Sequence, residues 1–114
     1  MYNFRMDRPI YIQIMELVKR RIVRGEYAGS LPTVRELALE LEVNPNTVAR
    51  AYRELEREGI IRARVGSGSF VNEEKVEELK KELVKEAFEE FLLSLKELGL
   101  EKEKIKEILE GLYD

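Results

Sequence analysis

The chain has 114 residues, 44% apolar and 38% charged, a balance typical of a folded domain rather than a disordered chain; the length allows one small domain with an appendage and excludes a large cleft between two lobes. Cysteine and histidine are both absent, which removes disulfides, thiolate chemistry, the usual zinc ligand sets and every Ser-His or Cys-His nucleophile. The formal net charge of −3 is unevenly placed: residues 1–72 carry eleven Arg and one Lys against nine acids, or +3, and residues 73–114 carry eight Lys and no Arg against fourteen acids, or −6.

In chain order, "RPIYIQIMELVKRRIVRG" sets Tyr11, Ile14, Met15, Val18 and Ile22 three and four residues apart, one apolar stripe on a helix. Pro9 fits the first turn and Gly25 the end. "GEYAGS" reads as a loop. A shorter helix follows in "LPTVRELALELEV", opened by Pro32 and by a Thr33/Glu36 capping box and buried through Val34, Leu37, Ala38 and Leu41. Only a few residues later, Asn44 as N-cap and Pro45 as first helical residue start a third helix at a fixed point. Its stripe is Val48, Ala51, Tyr52 and Leu55, and Gly59 is its stop. Asn46, Thr47, Arg50, Arg53 and Arg57 are left on the other sides. Two helices joined by so short a turn, the second offering polar and cationic groups from its first turns, predict a helix-turn-helix.

In "IIRARVGSGSFV" the period changes to that of a strand. Ile61, Ala63 and Val65 alternate with Arg62 and Arg64, Gly66-Ser67-Gly68 turns the chain, and Phe70-Val71 returns. Such a turn is ordinarily just a tight hairpin. Here backbone N–H groups and the Ser67 or Ser69 hydroxyl can approach a phosphate closely, with Arg62 and Arg64 beside them. Beyond this hairpin, a long helix is expected from an Asn72 cap, with Val76, Leu79, Leu83, Ala87, Phe88, Phe91, Leu92, Leu95 and Leu98 on one side and Gly99 at its end. A last helix carries Ile105, Ile108, Leu109 and Leu112. The predicted fold is therefore mainly α with a small β-hairpin: a winged helix-turn-helix over residues 1–72, then a C-terminal helical hairpin over 73–114.

Bland readings compete at several positions. Arg53 and Arg57 are equally well explained by pairing with Glu54, Glu56 and Glu58 along the helix, and Lys19, Arg20, Arg21 and Arg24 by a solvated face. Tyr11 and Tyr52 read as core. The carboxylates lie among lysines at helical spacing, so no catalytic residue, metal site or cofactor is expected. No apolar run approaches the roughly 18 residues of a membrane span and no signal-peptide core opens the chain, so a cytoplasmic protein without a membrane partner is expected.

"PIYIQIMELVKRRIVRGEY", "LPTVRELALELEVNPNTVARAYRELEREGII" and "VGSGSFV", in that order, closely resemble the DNA-binding half of the GntR family of bacterial and archaeal transcription regulators. The tail, with "KELGLEKEKIKEIL", is similar to the YtrA-type subgroup, whose members carry two dimerisation helices there in place of a large ligand-binding domain. The resemblance implies that Arg35, Asn44, Asn46, Thr47 and Arg50 lie against DNA, with Gly66, Ser67 and Gly68 reaching the neighbouring groove. Pro45 and Ala49 replace polar contact residues common in the family, Glu42 stands where glycine is common, and the loop between Gly25 and Leu31 is shorter than usual.

The expected function is that of a sequence-specific DNA-binding regulator, a repressor, that binds an inverted-repeat operator as a homodimer. Self-association is assigned to Leu79, Leu83, Ala87, Phe88, Phe91, Leu92, Leu95, Ile105, Ile108, Leu109 and Leu112, because leaving several such side chains wet forgoes roughly 1.5 to 3 kcal/mol each. The alternative is a protein-interaction module that uses the winged domain and acidic tail without DNA. Two short helices offer little room for a small-molecule effector.

Overall fold

In the computed structural model, which describes residues 2–113, each predicted helix forms close to its predicted bounds. They are α1 (Ile10–Val23), α2 (Val34–Leu41), α3 (Pro45–Arg57), α4 (Val76–Glu97) and α5 (Lys102–Tyr113), with β1 (Ile61–Arg64) and β2 (Gly68–Val71) between α3 and α4. The chain divides into two compact units, residues 1–80 and 81–114. No described helix is long and apolar enough to cross a membrane.

The first unit is built on the apolar stripes. Ile14, Val18, Leu37, Val48, Leu55 and Ile61 are fully buried, so α1 and α2 each pack on α3 and β1 closes the end of α3. Truncating one of these side chains would leave a cavity as well as lose transfer energy, together about 2–5 kcal/mol for a leucine or isoleucine. The hairpin pairs Ile61 with Val71 and Arg64 with Gly68 in antiparallel register. Ile61 faces the core, but Ala63 is exposed and Val65 lies fully exposed in the turn. The strand alternation thus ends sooner than the sequence pattern implies, because pairing stops at Arg64.

Two segments differ from the sequence expectation. The end of the "GEYAGS" loop joins the hairpin: Leu31 N–H donates to the Ser69 carbonyl (2.9 Å), Val71 N–H donates to the Gly29 carbonyl (2.6 Å), and Ser30 bridges Phe70. A single bridged residue has no periodicity to reveal it. Asn72, expected to cap the long helix, makes no side-chain cap there. It is buried instead, its N–H donating to the Ile60 carbonyl (2.9 Å) and its Nδ2 to the Gly59 carbonyl (2.7 Å). The chain then enters α4 through one 3-10 turn, Glu73–Lys75. Gln13, the other buried polar side chain among the described residues, holds the segment before α1: it accepts from Arg5 N–H and donates to the carbonyls of Arg5 and Arg8, all at 2.7–2.8 Å.

In the second unit no side chain over residues 81–112 is buried. Phe88 and Leu92 of α4 face Leu100, Ile105 and Leu109 across an open groove of about 850 Å³.

Candidate nucleic-acid interface

The turn between α2 and α3 is fixed from both sides. At the end of α2, Val43 N–H bonds to the Ala38 carbonyl (3.0 Å) and Glu42 N–H to the Leu39 carbonyl (3.4 Å), the Schellman pattern. This pattern requires a left-handed residue, and Glu42 supplies it at φ 56°. It is the one non-glycine residue with positive φ among those described. At the start of α3, Asn44 Oδ1 accepts from Asn46 N–H (2.8 Å) and the Asn44 carbonyl from Thr47 N–H (2.9 Å), with Pro45 as first helical residue. Proline lacks the N–H that the first turn would leave unpaired, and its fixed φ suits the helix. The first turn of α3 therefore begins at a defined place, and Asn46 and Thr47 with it.

The buried face of α3 is that predicted, Val48, Ala51, Tyr52 and Leu55. Tyr52 O–H donates to the Pro32 carbonyl at 2.7 Å, tying α3 to the entrance of α2. Burial, reinforced by the nearby Tyr27 and Glu36, raises the Tyr52 hydroxyl pKa well above the ordinary tyrosine range. The capping box of α2 also forms as expected: Thr33 Oγ1 accepts from Glu36 N–H and Glu36 Oε1 from Thr33 N–H, both at 3.1 Å. These bonds hold the Glu36 carboxyl below its usual range. Opposite the buried face, Asn46, Arg50, Arg53 and Arg57 are exposed and Thr47 is half-buried.

Geometry separates the cations into two groups. The α1 set pairs internally: Lys19 with Glu58 (2.9 Å), Arg21 with Glu40 (2.5 Å), Arg24 with Glu26 (3.3 Å), and Arg20 donates to the Tyr2 hydroxyl (3.2 Å). The Arg21 contact lowers the Glu40 carboxyl pKa. Arg57 pairs with Glu54 at 3.2 Å, the helix pairing anticipated for it. Arg35 and Arg53 are exposed and have no ion-pair partner among the described residues. Arg50 has an aromatic partner, its guanidinium carbon lying 3.8 Å from the ring centroid of Tyr11. Tyr11 is half-buried, so the core position read for it describes only part of its surroundings.

On the wing, Gly66, Ser67 and Gly68 are exposed at the tip. Ser67 N–H is used in closing the turn on the Arg64 carbonyl (3.0 Å), so its hydroxyl rather than its amide is free to meet a phosphate. Arg64 lies over the Phe70 ring at 4.7 Å, and Arg62 is 3.8 Å from the Glu74 carboxylate.

Of the residues assigned to self-association, Leu79 is only 3% exposed and belongs to the core of the first unit. Leu83, Leu92, Leu95 and Ile105 are half-buried. Ala87, Phe88, Phe91, Ile108, Leu109 and Leu112 are exposed, as are Val84 and Leu93, which the sequence stripe did not include.

Residues 10–71 match the family model described as "Bacterial regulatory proteins, gntR family". The chain is 47% identical to the HTH-type transcriptional regulator YhcF of Bacillus subtilis, over 96% of this chain and 92% of the relative. It is 39% identical to the HTH-type transcriptional repressor YtrA of the same organism, over 90% of this chain and 83% of the relative. Among solved structures, a GntR family transcriptional regulator from Listeria monocytogenes superposes with a TM-score of 0.82 at 40% identity, covering 95% of this chain and 98% of that one.

Proposed function

The chain belongs to the gntR family of bacterial regulatory proteins, and from that footing we propose that it is a repressor that binds an inverted-repeat operator as a homodimer and reads it with the first turns of α3. The observation that carries the reading is the exposed row Asn46, Arg50 and Arg53 on a helix whose start is pinned by Asn44 and Pro45. A helix end of this width and polarity suits the major groove, where asparagine and arginine pair with adenine and guanine edges. Arg35 and the wing tip then lie at the duplex as backbone contacts, with Arg62 and Arg64 alongside. The repressor role is supported by likeness to a relative named as one.

Self-association is supported by the second unit, which leaves Phe88, Phe91, Ile108, Leu109 and Leu112 exposed and fully buries no side chain over residues 81–112. A second copy covers those side chains, and its two-fold symmetry sets two α3 helices against half-sites about 34 Å, or a multiple of it, apart. The interaction-module alternative has no comparable observation in its favour.

Selection of bound duplexes from a random library tests the reading. An enriched palindrome with half-sites about one helical turn, or a whole number of turns, apart is the expected result. Arg50→Ala should weaken binding to the selected site by about 5- to 150-fold per half-site, since a bidentate arginine contact is worth about 1–3 kcal/mol of discrimination. Failure to enrich any sequence at low salt, together with stable capture of a protein, would favour the interaction module.

A further inference from the structure

The packing of α1 against α3 brings their first turns together around an open hollow of about 480 Å³, lined by Pro9, Ile10, Tyr11, Asn46, Thr47 and Arg50. Within it the Arg50 guanidinium lies 3.8 Å from the Tyr11 ring centroid. That distance is well inside the roughly 6 Å over which a cation is drawn to a ring face. Glu54, the acid one turn along α3 from Arg50, pairs with Arg57 instead. Of the two partners one is anchored and one is not: Tyr11 is half-buried in its helix, whereas Arg50 is exposed.

We infer that Tyr11 is a positioning residue for DNA reading, its ring serving as a platform that holds the Arg50 guanidinium over the hollow between α1 and α3. This rests on the reading that Arg50 meets DNA. Stacking leaves the in-plane N–H donors at the edge of the guanidinium free, and those are the donors that form a bidentate pair with guanine. A long side chain held in one orientation also has less rotamer freedom to lose on binding. The ring face makes the interaction, so the hydroxyl is dispensable to it.

The test uses the full chain and a duplex selected from a random library, with its single-base-pair variants, and measures binding by fluorescence anisotropy at fixed salt. Tyr11→Leu should weaken binding about two- to fivefold per half-site, the range of a cation–π contact at an exposed position, and flatten the preference at the base pair that Arg50→Ala also flattens. Tyr11→Phe should rescue both. In the Arg50→Ala background, Tyr11→Leu should cost nothing further. Circular dichroism melts identify any variant that has lost its fold, and Tyr11→Phe retains a test if Tyr11→Leu has done so. Additive losses for the two substitutions, or a Tyr11→Phe chain as impaired as Tyr11→Leu, would overturn the platform while leaving the Arg50 contact standing. Unchanged binding by Arg50→Ala would instead remove the contact on which the platform depends.

Discussion

Glu42 occupies a position that L side chains enter at a cost. Its φ of 56° closes the Schellman pattern at the end of α2, the task that Gly59, at φ 78°, performs at the end of α3. Left-handed backbone brings Cβ against the carbonyl oxygen, at roughly 1–2 kcal/mol, whereas glycine has no such contact and loses only extra freedom on folding. Glu42→Gly should therefore raise stability by about 0.5–1 kcal/mol in a denaturant titration, and a loss of stability would show that the carboxylate side chain contributes something the backbone does not reveal. The exposed face of α3 was legible at this scale because capping and side-chain spacing are local. Tyr11 was not. It holds a stripe position indistinguishable from those of Ile14 and Val18, and its partner Arg50 lies on another helix.

Between elements, the Tyr52 hydroxyl is the hydrogen-bonded link from α3 to the entrance of α2. Burial raises its pKa above the unfolded tyrosine value of about 10, and burial raises that of Tyr27 too. The folded chain then keeps protons that the unfolded chain gives up, so this contribution to stability is complete below about pH 10 and is lost as pH climbs toward the higher folded values. Thermal melts followed from pH 8 to 11 should show a midpoint that falls steeply above about pH 10. Tyr52→Phe should start about 1 kcal/mol less stable at neutral pH, with the Pro32 carbonyl unpaired, yet lose less on the alkaline side. An identical alkaline slope in the variant would assign the effect to other groups. The boundaries of α2 and α3 follow from residues adjacent in sequence. Asn72 illustrates the opposite case: its partners Gly59 and Ile60 lie across the whole hairpin, so a residue with a good capping side chain is used as a clamp instead.

At the scale of the molecule, the change from arginine to lysine near residue 72 separates two chemistries, while the compact units divide after residue 80 because Leu79 is buried in the first. Composition records surface character, and the division of packing depends on which turn of α4 finds a core. The exposed Phe88, at 59%, and Leu109, at 38%, carry the self-association proposal. A Phe88→Asp/Leu109→Asp chain should elute as a monomer with multi-angle scattering at micromolar concentration and bind a palindromic duplex much more weakly than a single half-site loss alone explains. A dimer that survives both substitutions would move the interface elsewhere. For the parent chain, log K should fall with log salt by about 0.9 for each phosphate neutralised.

Among the described residues of the first unit, the two buried side chains that are polar throughout their head groups, Gln13 and Asn72, are both carboxamides, and the sequence has no imidazole anywhere. Neither interior clamp can gain or lose a charge, and the side chain that ordinarily senses acidity near neutrality is missing. Acidification near neutrality therefore leaves both clamps unchanged: the hold of Gln13 on the segment before α1, and of Asn72 on the end of α3, does not vary with protonation there.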